Sequence, residues 1–328
     1  MSIYNILLYS GDCMQRNFKY LDDLIHSREK EIVLDSDIVL DESEVPQYLE
    51  GISLDVDDLI IDGGGFTVDA CGKARIFHST ARNITIKNLI VKNASGAIYN
   101  FRGVLNILNS IFLFNRAEIS GGAIYNEWGE VKISHSRFYD NVSGCHGGAI
   151  FNVNGEINIS GSDFKFNSAK NDGGAIFNGA KLNIDDSTFS YNKAEGSGGA
   201  IYDNRGETNI KNSTLSNSIS MGVFGGGAVH KNRGAMNIIS SKFSQNTSEG
   251  DGGAIFSIDG EITISKSEFV KNTSKSHGGA IYDWGSLKIE DSGLLDNAAD
   301  NGGGAIFTKN KLDLINCRFS DNRPDETD

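Results

Sequence analysis

Residues 121–141 read GGAIYNEWGEVKISHSRFYDN, and residues 147–167 read GGAIFNVNGEINISGSDFKFN. Both stretches contain a GGAI block, two aliphatic residues separated by one polar residue, a serine, and a closing F-x-x-N. This template recurs about nine times up to residue 322, with about 26 residues between successive copies. Repeats of this length are typical of solenoid proteins, in which each repeat buries its apolar face against its neighbours.

The aliphatic pair of each copy alternates with polar residues, as in Val131-Lys132-Ile133. This period of two predicts a strand with one buried face, whereas a helical repeat would be interrupted by the glycine pairs. We expect about three strands per coil, each paired in parallel with its equivalents at a spacing of about 4.8 Å. The chirality rule for parallel crossovers predicts right-handed winding. The fold class is therefore all-β, a right-handed parallel β-helix.

Two columns of the template predict ladders inside this helix. We expect the phenylalanines to stack along the axis, and the asparagine amides to hydrogen-bond from coil to coil while holding a bend. The phenylalanine column contains Phe112, Phe138, Phe164, Phe189, Leu215, Phe243, Phe269, Leu294 and Phe319. The asparagine column contains Asn115, Asn141, Asn167, Asn192, Ser218, Asn246, Asn272, Asn297 and Asn322.

The ends of the chain lack the repeat. Residues 1–55 are predicted to form a small α/β cap, with an amphipathic helix in residues 17–27 and irregular first strands after it. Residues 56–322 form the β-helix, and residues 323–328 are a polar tail. We recognise no capping element after residue 322, which predicts a truncated rod or one capped by a partner or another copy. End-to-end or cap-mediated self-association is therefore expected.

Composition limits the partners. The net charge of −13 argues against nucleic acid and against anionic membrane surfaces. No stretch approaches 18 apolar residues, so no membrane insertion is expected, and the apolar residues 3–9 lack the flanks of a signal peptide. The four cysteines form no C-x-x-C pair, which predicts free thiols rather than a zinc site.

The GGAI blocks paired with F-x-x-N resemble the repeats of the chlamydial polymorphic outer membrane proteins. The entry segment at residues 60–93, with IDGGGFTVDACGKARIF and NITIKNLIV, is similar to adhesin-like surface proteins of methanogenic archaea and to the pectate-lyase-like β-helix superfamily. The resemblance implies extracellular or cell-surface display. It also implies adhesion to a glycan or protein partner on another cell surface.

A polysaccharide lyase or glycoside hydrolase on the same fold is the alternative function. Such an enzyme needs carboxylates clustered on adjacent coils, and a lyase also needs calcium and a basic residue. The outward column after the serine reads Ile111, Arg137, Asp163, Thr188, Thr214, Lys242, Glu268, Gly293 and Arg318. No two neighbouring coils place acids there. We therefore predict a structural or adhesive module with no catalytic, cofactor-binding or metal-binding residues, and no cofactor.

Two histidine–aspartate pairs nevertheless share a loop column on adjacent coils. His146 lies one repeat before Asp172, and Asp251 lies one repeat before His277. Each pair can meet across about 5 Å. A metal or acid–base role is conceivable, but a solvated turn pair is the favoured interpretation.

Aromatic residues recur one position after the isoleucine of GGAI. The column contains Tyr99, Tyr125, Phe151, Phe177, Tyr202, His230, Phe256, Tyr282 and Phe307. Exchange of phenylalanine for tyrosine favours burial, but strict alternation cannot bury both this column and the preceding isoleucines unless the strand bends. If exposed, these rings would form a sugar-binding ladder.

The loop before each GGAI strand is the predicted functional face. It contains the only insertion in the repeats, residues 220–224, which places Met221, Val223 and Phe224 in an otherwise polar turn. Exposed apolar residues on a protruding loop often mark contact. The alternative is that Val223 and Phe224 fold back to fill space where Leu215 and Ser218 replace the usual phenylalanine and asparagine.

Overall fold

The computed structural model of the chain describes residues 16–27 and 29–324, which form an all-β parallel solenoid of about 11 turns with two short α-helices. Equivalent strands pair in parallel and in the register of the repeat, for example Phe138 with Phe164 and Ile133 with Ile159. The predicted fold class is thus confirmed. The apolar residues 3–9, Cys13 and residues 325–328 lie outside the described ranges. Cys71, Cys145 and Cys317 are free thiols, as expected.

Each full coil contains four strands, where the sequence predicted about three. We name the resulting ladders the GGAI ladder, the aliphatic ladder, the phenylalanine ladder and the short ladder. The fourth strand has only two residues, so it carries no alternation that a sequence pattern could reveal. The GGAI and aliphatic ladders belong to one 21-stranded sheet because two long strands run through both.

The strands of the GGAI ladder are Ile52–Leu54, Phe77–Ser79, Ile98–Phe101, Ile124–Glu127, Ile150–Asn152, Ile176–Asn178, Ile201–Asp203, Val229–Ile239, Ile255–Ser265, Ile281–Asp283 and Ile306–Thr308. The aliphatic ladder shares Val229–Ile239 and Ile255–Ser265, and its other strands are Glu31–Val33, Leu59–Asp62, Asn83–Lys87, Val104–Leu108, Glu130–Ser134, Glu156–Ser160, Lys181–Asp185, Thr208–Lys211, Ser286–Glu290 and Leu312–Ile315.

The strands of the phenylalanine ladder are Ile38–Val39, Thr67–Asp69, Ile90–Lys92, Ile111–Leu113, Arg137–Tyr139, Asp163–Lys165, Thr188–Ser190, Thr214–Ser216, Lys242–Ser244, Glu268–Val270, Gly293–Leu295 and Arg318–Ser320. The strands of the short ladder are Arg116–Ala117, Val142–Ser143, Ser168–Ala169, Lys193–Ala194, Ile219–Ser220, Thr247–Ser248, Thr273–Ser274 and Ala298–Ala299.

The core runs along the axis as stacked columns. The rings of Phe112, Phe138, Phe164 and Phe189 are fully buried, with successive centroids 4.7, 4.6 and 4.6 Å apart. Full burial of one such side chain contributes about 1.5–3 kcal/mol. Leu215 replaces the next ring and is also buried, so the aromatic stack is interrupted there while the apolar column continues.

The asparagine column forms the predicted internal ladder. Asn115 donates its Nδ2 to Oδ1 of Asn141 at 2.9 Å, and Asn141 donates to Asn167 at 3.0 Å. Each amide also donates to a backbone carbonyl of the preceding coil, as Asn167 does to Phe138 at 2.8 Å. These side chains are fully buried, so their polar atoms depend on one another.

Backbone conformation at the turns explains the glycine pair. Gly121 has φ +67, and a Cβ there would lie 2.4 Å from the carbonyl oxygen of Ile124. Gly122 packs against the next coil, where a Cβ would lie 2.4 Å from the carbonyl oxygen of Gly148. The first glycine therefore provides a left-handed turn, and the second allows close approach between coils.

A helix covers the N-terminal end of the core, as predicted. It spans Phe18–Ile25, and Oδ1 of its N-cap residue Asn17 accepts a hydrogen bond from the Tyr20 N–H. Phe18, Leu21 and Ile25 are fully buried. A 3-10 helix at Glu42–Glu44 and a second α-helix at Val45–Tyr48 follow. The ladders already begin within residues 1–55, at the irregular first strands that the sequence indicated.

Candidate binding face

The aromatic column forms a continuous stripe on the outside of the GGAI ladder. We call Tyr99, Tyr125, Phe151, Phe177, Tyr202, His230, Phe256, Tyr282 and Phe307 the aromatic stripe. Successive ring centroids are between 4.5 and 5.4 Å apart. The stripe points outward because the preceding isoleucines point into the core, as strand alternation requires.

Burial varies along the stripe. His230, Phe256 and Tyr282 are buried, whereas the other rings are half-buried. The favoured prediction of burial therefore holds fully for these three residues and partly for the other six. No bend turns these rings inward. Loop residues contact some of these rings, as His146 does Phe177 and His277 does Phe307.

The loops that lead into the GGAI strands line one side of the stripe. We call this series the loop edge, comprising residues 117–121, 143–147, 169–173, 194–198, 220–226, 248–252 and 274–278. Their backbones hydrogen-bond from coil to coil, as Gly147 N–H does to the Asp172 carbonyl at 3.0 Å. The predicted functional face is thus an ordered surface beside the aromatic rings.

Both histidine–aspartate pairs meet on the loop edge. Nδ1 of His146 lies 3.4 Å from Oδ2 of Asp172, and the His146 ring lies 4.9 Å from the Phe177 ring. Burial raises the pKa of Asp172, but hydrogen bonds from His146 and the Ser197 N–H outweigh it and hold the pKa below its ordinary value. A carboxylate there is ionised at neutral pH.

The second pair lies four coils further along, with the aspartate on the earlier coil and the histidine on the later one. Nδ1 of His277 lies 3.1 Å from Oδ1 of Asp251, and the ring lies 4.7 Å from the Phe307 ring. Ser276 also contacts this nitrogen at 2.9 Å. In the described part of the chain, no group of three or more His, Cys, Asp or Glu side chains could hold a metal ion. The two pairs each join neighbouring coils at the edge of the stripe.

The inserted loop covers part of the stripe without entering the core. Val223 is 75% exposed and Phe224 is 54% exposed, so neither fills the space beside Leu215 and Ser218. The Phe224 ring lies 6.2 Å from Phe256, and its carbonyl oxygen accepts a hydrogen bond from Nδ1 of His230 at 2.7 Å. The alternative that the loop folds back into the core is thus wrong.

His230 is the stripe residue that fastens this loop. Its ring stacks between Tyr202 and Phe256, and burial lowers its pKa to about 4. The ring is therefore neutral at pH 7, with Nδ1 carrying the proton that Phe224 accepts. Its Nε2 is buried without a hydrogen-bond partner.

A second polar column inside the helix was missed by the sequence analysis. It follows the aromatic stripe by one residue and contains Asn100, Asn126, Asn152, Asn178, Asp203, Lys231, Ser257, Asp283 and Thr308. Its first members form an amide ladder, since Asn100 donates to Asn126, and Asn126 to Asn152, both at 2.8 Å. Strand alternation places this position inside, but its polar residue types suggested a surface.

Charged residues interrupt this inner column. The Lys231 ammonium group donates to the Asp203 carboxylate, and both side chains are completely buried. Burial raises the pKa of Asp203 and lowers that of Lys231, against the mutual attraction that favours both charges. Asp283 has no such cation among the residues that the structure describes. Neither of its carboxylate oxygens has a hydrogen-bond partner, and burial raises its pKa to about 6.

The outside of the aliphatic ladder presents a shallow polar groove of about 690 Å³. Asn209 donates to Asn183 at 2.9 Å, and Asn183 donates to Asn158 at 2.8 Å. Lys132 and Glu207 lie at its sides. This groove has no exposed aromatic ring, which distinguishes it from the stripe.

A larger cavity of about 780 Å³ lies where the stripe begins. The loop edge, the stripe residues Tyr99 and Tyr125, and the side chains of Arg75, Glu50 and Ile119 line it. The Arg75 guanidinium lies 5.5 Å from the Tyr99 ring centroid, and Ile119 is 69% exposed. The cavity thus combines aromatic, apolar and cationic groups.

A family model for the Chlamydia polymorphic membrane protein repeat matches residues 186–204, 240–258 and 266–283. Each matched stretch includes the F-x-x-N turn and continues to the following GGAI strand. The chain carries repeats of the polymorphic membrane protein type. These repeats supply the asparagine ladder, the loop edge and the stripe. No curated protein and no solved structure matches this chain. No helix within the described ranges is long and apolar enough to cross a bilayer.

Proposed function

We propose that this chain is an adhesin-like module displayed at a cell surface, and that it binds a glycan or protein partner through the loop edge and the aromatic stripe. The polymorphic membrane protein repeats support the surface location. The decisive observation is that four exposed apolar side chains lie on the loop edge, beside the aromatic stripe. Ile119, Met221, Val223 and Phe224 are between 48% and 75% exposed. Such residues mark contact surfaces when they cluster on ordered loops.

The rest of the template is explained by packing. Aliphatic, phenylalanine and asparagine columns fill the interior, and the histidine–aspartate pairs tie neighbouring loops together. The function of the module is therefore binding rather than turnover. Its length gives one extended surface on which several contacts can act together.

The test is binding of the intact chain to a panel of immobilised glycans and extracellular-matrix proteins, with the same panel assayed for degradation. We expect binding without product. The variant Ile119→Ser, Val223→Ser should weaken binding at least about tenfold, since each exposed anchor contributes roughly 1 kcal/mol or more. Ile239→Ser is the matched control, because Ile239 is exposed at the end of an aliphatic-ladder strand rather than on the loop edge.

Two results would contradict the proposal. The first is equal loss of binding in the control variant, which would show that the loop edge is not the contact surface. The second is turnover of a glycan that Asp172→Asn or Asp251→Asn abolishes, which would establish the carbohydrate-active enzyme instead.

A further inference from the structure

We propose that the cavity at the start of the aromatic stripe binds a carboxylate-bearing sugar, with Arg75 holding the carboxylate and the tyrosine rings holding the sugar face. This inference rests on the proposed binding function and names a ligand class for one part of the face. The cavity has a volume of about 780 Å³, which suits one or two sugar rings.

Arg75 has hydrogen-bonding capacity that the protein leaves unused. Its Nη1 donates to Oε2 of Glu50 at 3.0 Å, but its Nε is buried without a partner. A guanidinium binds a carboxylate best through two parallel N–H groups. A ligand carboxylate that replaces Glu50 can accept from Nη1 and Nη2 together, whereas Glu50 accepts from Nη1 alone.

Glu50 occupies the position that the ligand carboxylate would take. Its side chain is 79% exposed, so its ion pair with Arg75 is weak and easily exchanged. The other nearby cation, Lys73, is already paired with Glu42 at 2.9 Å. His78 adds no charge at neutral pH, because burial and the adjacent Arg75 lower its pKa. Arg75 is thus the cation that an anionic ligand would meet.

The remaining walls favour a sugar over an acidic peptide. The rings of Tyr99 and Tyr125 are half-buried and 5.4 Å apart, so they offer adjacent aromatic faces. The C–H face of a pyranose packs on such rings while its hydroxyls remain at the edge. Ile119 extends this apolar wall on the loop edge. An acidic peptide would bind Arg75 through its carboxylates and would not require contact with the two tyrosine rings.

Calorimetric titration of the intact chain with a hyaluronan tetrasaccharide tests the inference, with its carboxyl-methylated form as the neutral control. The acid should bind at least about tenfold more tightly than the ester, which is the effect of one hydrogen-bonded charge pair. Arg75→Gln should abolish that difference, whereas Arg137→Gln, on the distant phenylalanine ladder, should preserve it. Tyr125→Ala should weaken acid and ester equally.

Glu50→Gln provides the most specific result. Loss of the competing internal carboxylate should tighten binding of the acid several-fold and leave the ester unchanged. Because Glu50 is exposed, this variant tests the site without disturbing the fold. An unchanged melting temperature of Arg75→Gln would show that the arginine variant is folded as well.

Equal binding of acid and ester, or an unchanged affinity in Glu50→Gln, would overturn the inference. Tighter binding of an Asp/Glu-rich peptide that is insensitive to Tyr125→Ala would also overturn it. If the tetrasaccharide fails to bind while the chain still binds its panel through the loop edge, this inference fails and the proposed function stands. If neither assay detects binding, both fail.

Discussion

At the residue scale, Asp283 is a buried acidic side chain that disfavours the folded state, in an inner polar column whose asparagines bond to one another. Four coils place asparagine at the equivalent position, and in three of them, at Asn126, Asn152 and Asn178, the amide both donates and accepts. Asp283 has lost the donor and gained a charge. Burial is the largest influence on its pKa and raises it to about 6. The buried carboxylate is therefore a built-in source of instability at neutral pH.

Asp283→Asn should stabilise the protein at neutral and alkaline pH. The folded-state pKa of Asp283 is about 6, above the unfolded value near 3.9, so the folded state binds the proton more tightly. Its contribution to stability is greatest below about pH 4 and is lost as the pH rises through about 6. The variant should gain on the order of 2 kcal/mol at pH 8 and almost nothing at pH 4.

Urea denaturation across this pH range measures the difference between the two proteins. The surface substitution Asp300→Asn is the control, since it changes the net charge equally. A gain that is the same at pH 4 and pH 8 would show that Asp283 is not the titrating group.

Asn167→Leu should destabilise the protein by about 1–3 kcal/mol. Oδ1 of Asn167 accepts from both the backbone and the side chain of Asn141, and its Nδ2 donates to Asn192 and to Phe138. A leucine leaves these groups buried without partners. Chemical denaturation checks the value, with Asn158→Leu on the outer groove as control. Equal effects of the two substitutions would show that the internal ladder has no special role.

At the residue scale, the sequence correctly predicted the burial of residues whose type is usual for their position. The phenylalanine and asparagine columns recur with one residue type, so their burial follows from the pattern. The inner polar column was missed because Asp203, Lys231 and Asp283 are residue types that usually lie at the surface. The only sequence signal for this column was strand alternation, because each of its residues lies two positions after a buried aliphatic residue.

Among the elements, the long strand Val229–Ile239 contributes one member of the buried ion pair, and the long strand Ile255–Ser265 lies on the next coil. Lys231 belongs to the first of them, and its ammonium group reaches back to Asp203 and to the Gly206 carbonyl of the preceding coil. The pair is fully enclosed. Removing one partner leaves an uncompensated charge, whereas removing both leaves an ordinary apolar or amide position.

Lys231→Met should therefore destabilise the protein by about 3 kcal/mol. Asp203→Asn restores the residue that neighbouring coils carry, and the double variant should recover most of that loss. A double-mutant cycle measured by urea denaturation gives the coupling energy. Additive losses in the double variant would mean that the two side chains contribute independently, contrary to the buried pair.

The secondary-structure elements also show which features a sequence pattern can predict and which it cannot. Alternation predicted the strands of the aliphatic ladder, as in Val131 and Ile133, and the amphipathic pattern predicted the Phe18–Ile25 helix. The two-residue strands of the short ladder have no period to detect. The cavity beside Arg75 unites residues from separate loops and from the segment before the repeats, so spacing within the template could not reveal it.

At the scale of the whole molecule, stability is a sum over coils and their interfaces. The coil that includes residues 208–226 departs from the template in both internal ladders. Leu215 interrupts the ring stack, and Ser218 interrupts the amide ladder. The Oγ of Ser218 reaches only the Ser216 carbonyl, at 3.3 Å. The inserted loop and the stacked His230 cover this coil on the outside, but they add no polar link inside.

We therefore expect the rod to open first at this coil. Hydrogen exchange measured by mass spectrometry should show lower protection for Thr214–Ser216 and Ile219–Ser220 than for the equivalent strands Asp163–Lys165 and Ser168–Ala169. Ser218→Asn should restore an amide that can bond Asn246 as well as the preceding coil, and should raise protection locally by about 1 kcal/mol. Uniform protection along the rod, or a variant without effect, would show that the native interruptions do not weaken the stack. The exchange pattern would then be set by the ends, where each terminal coil has only one neighbour.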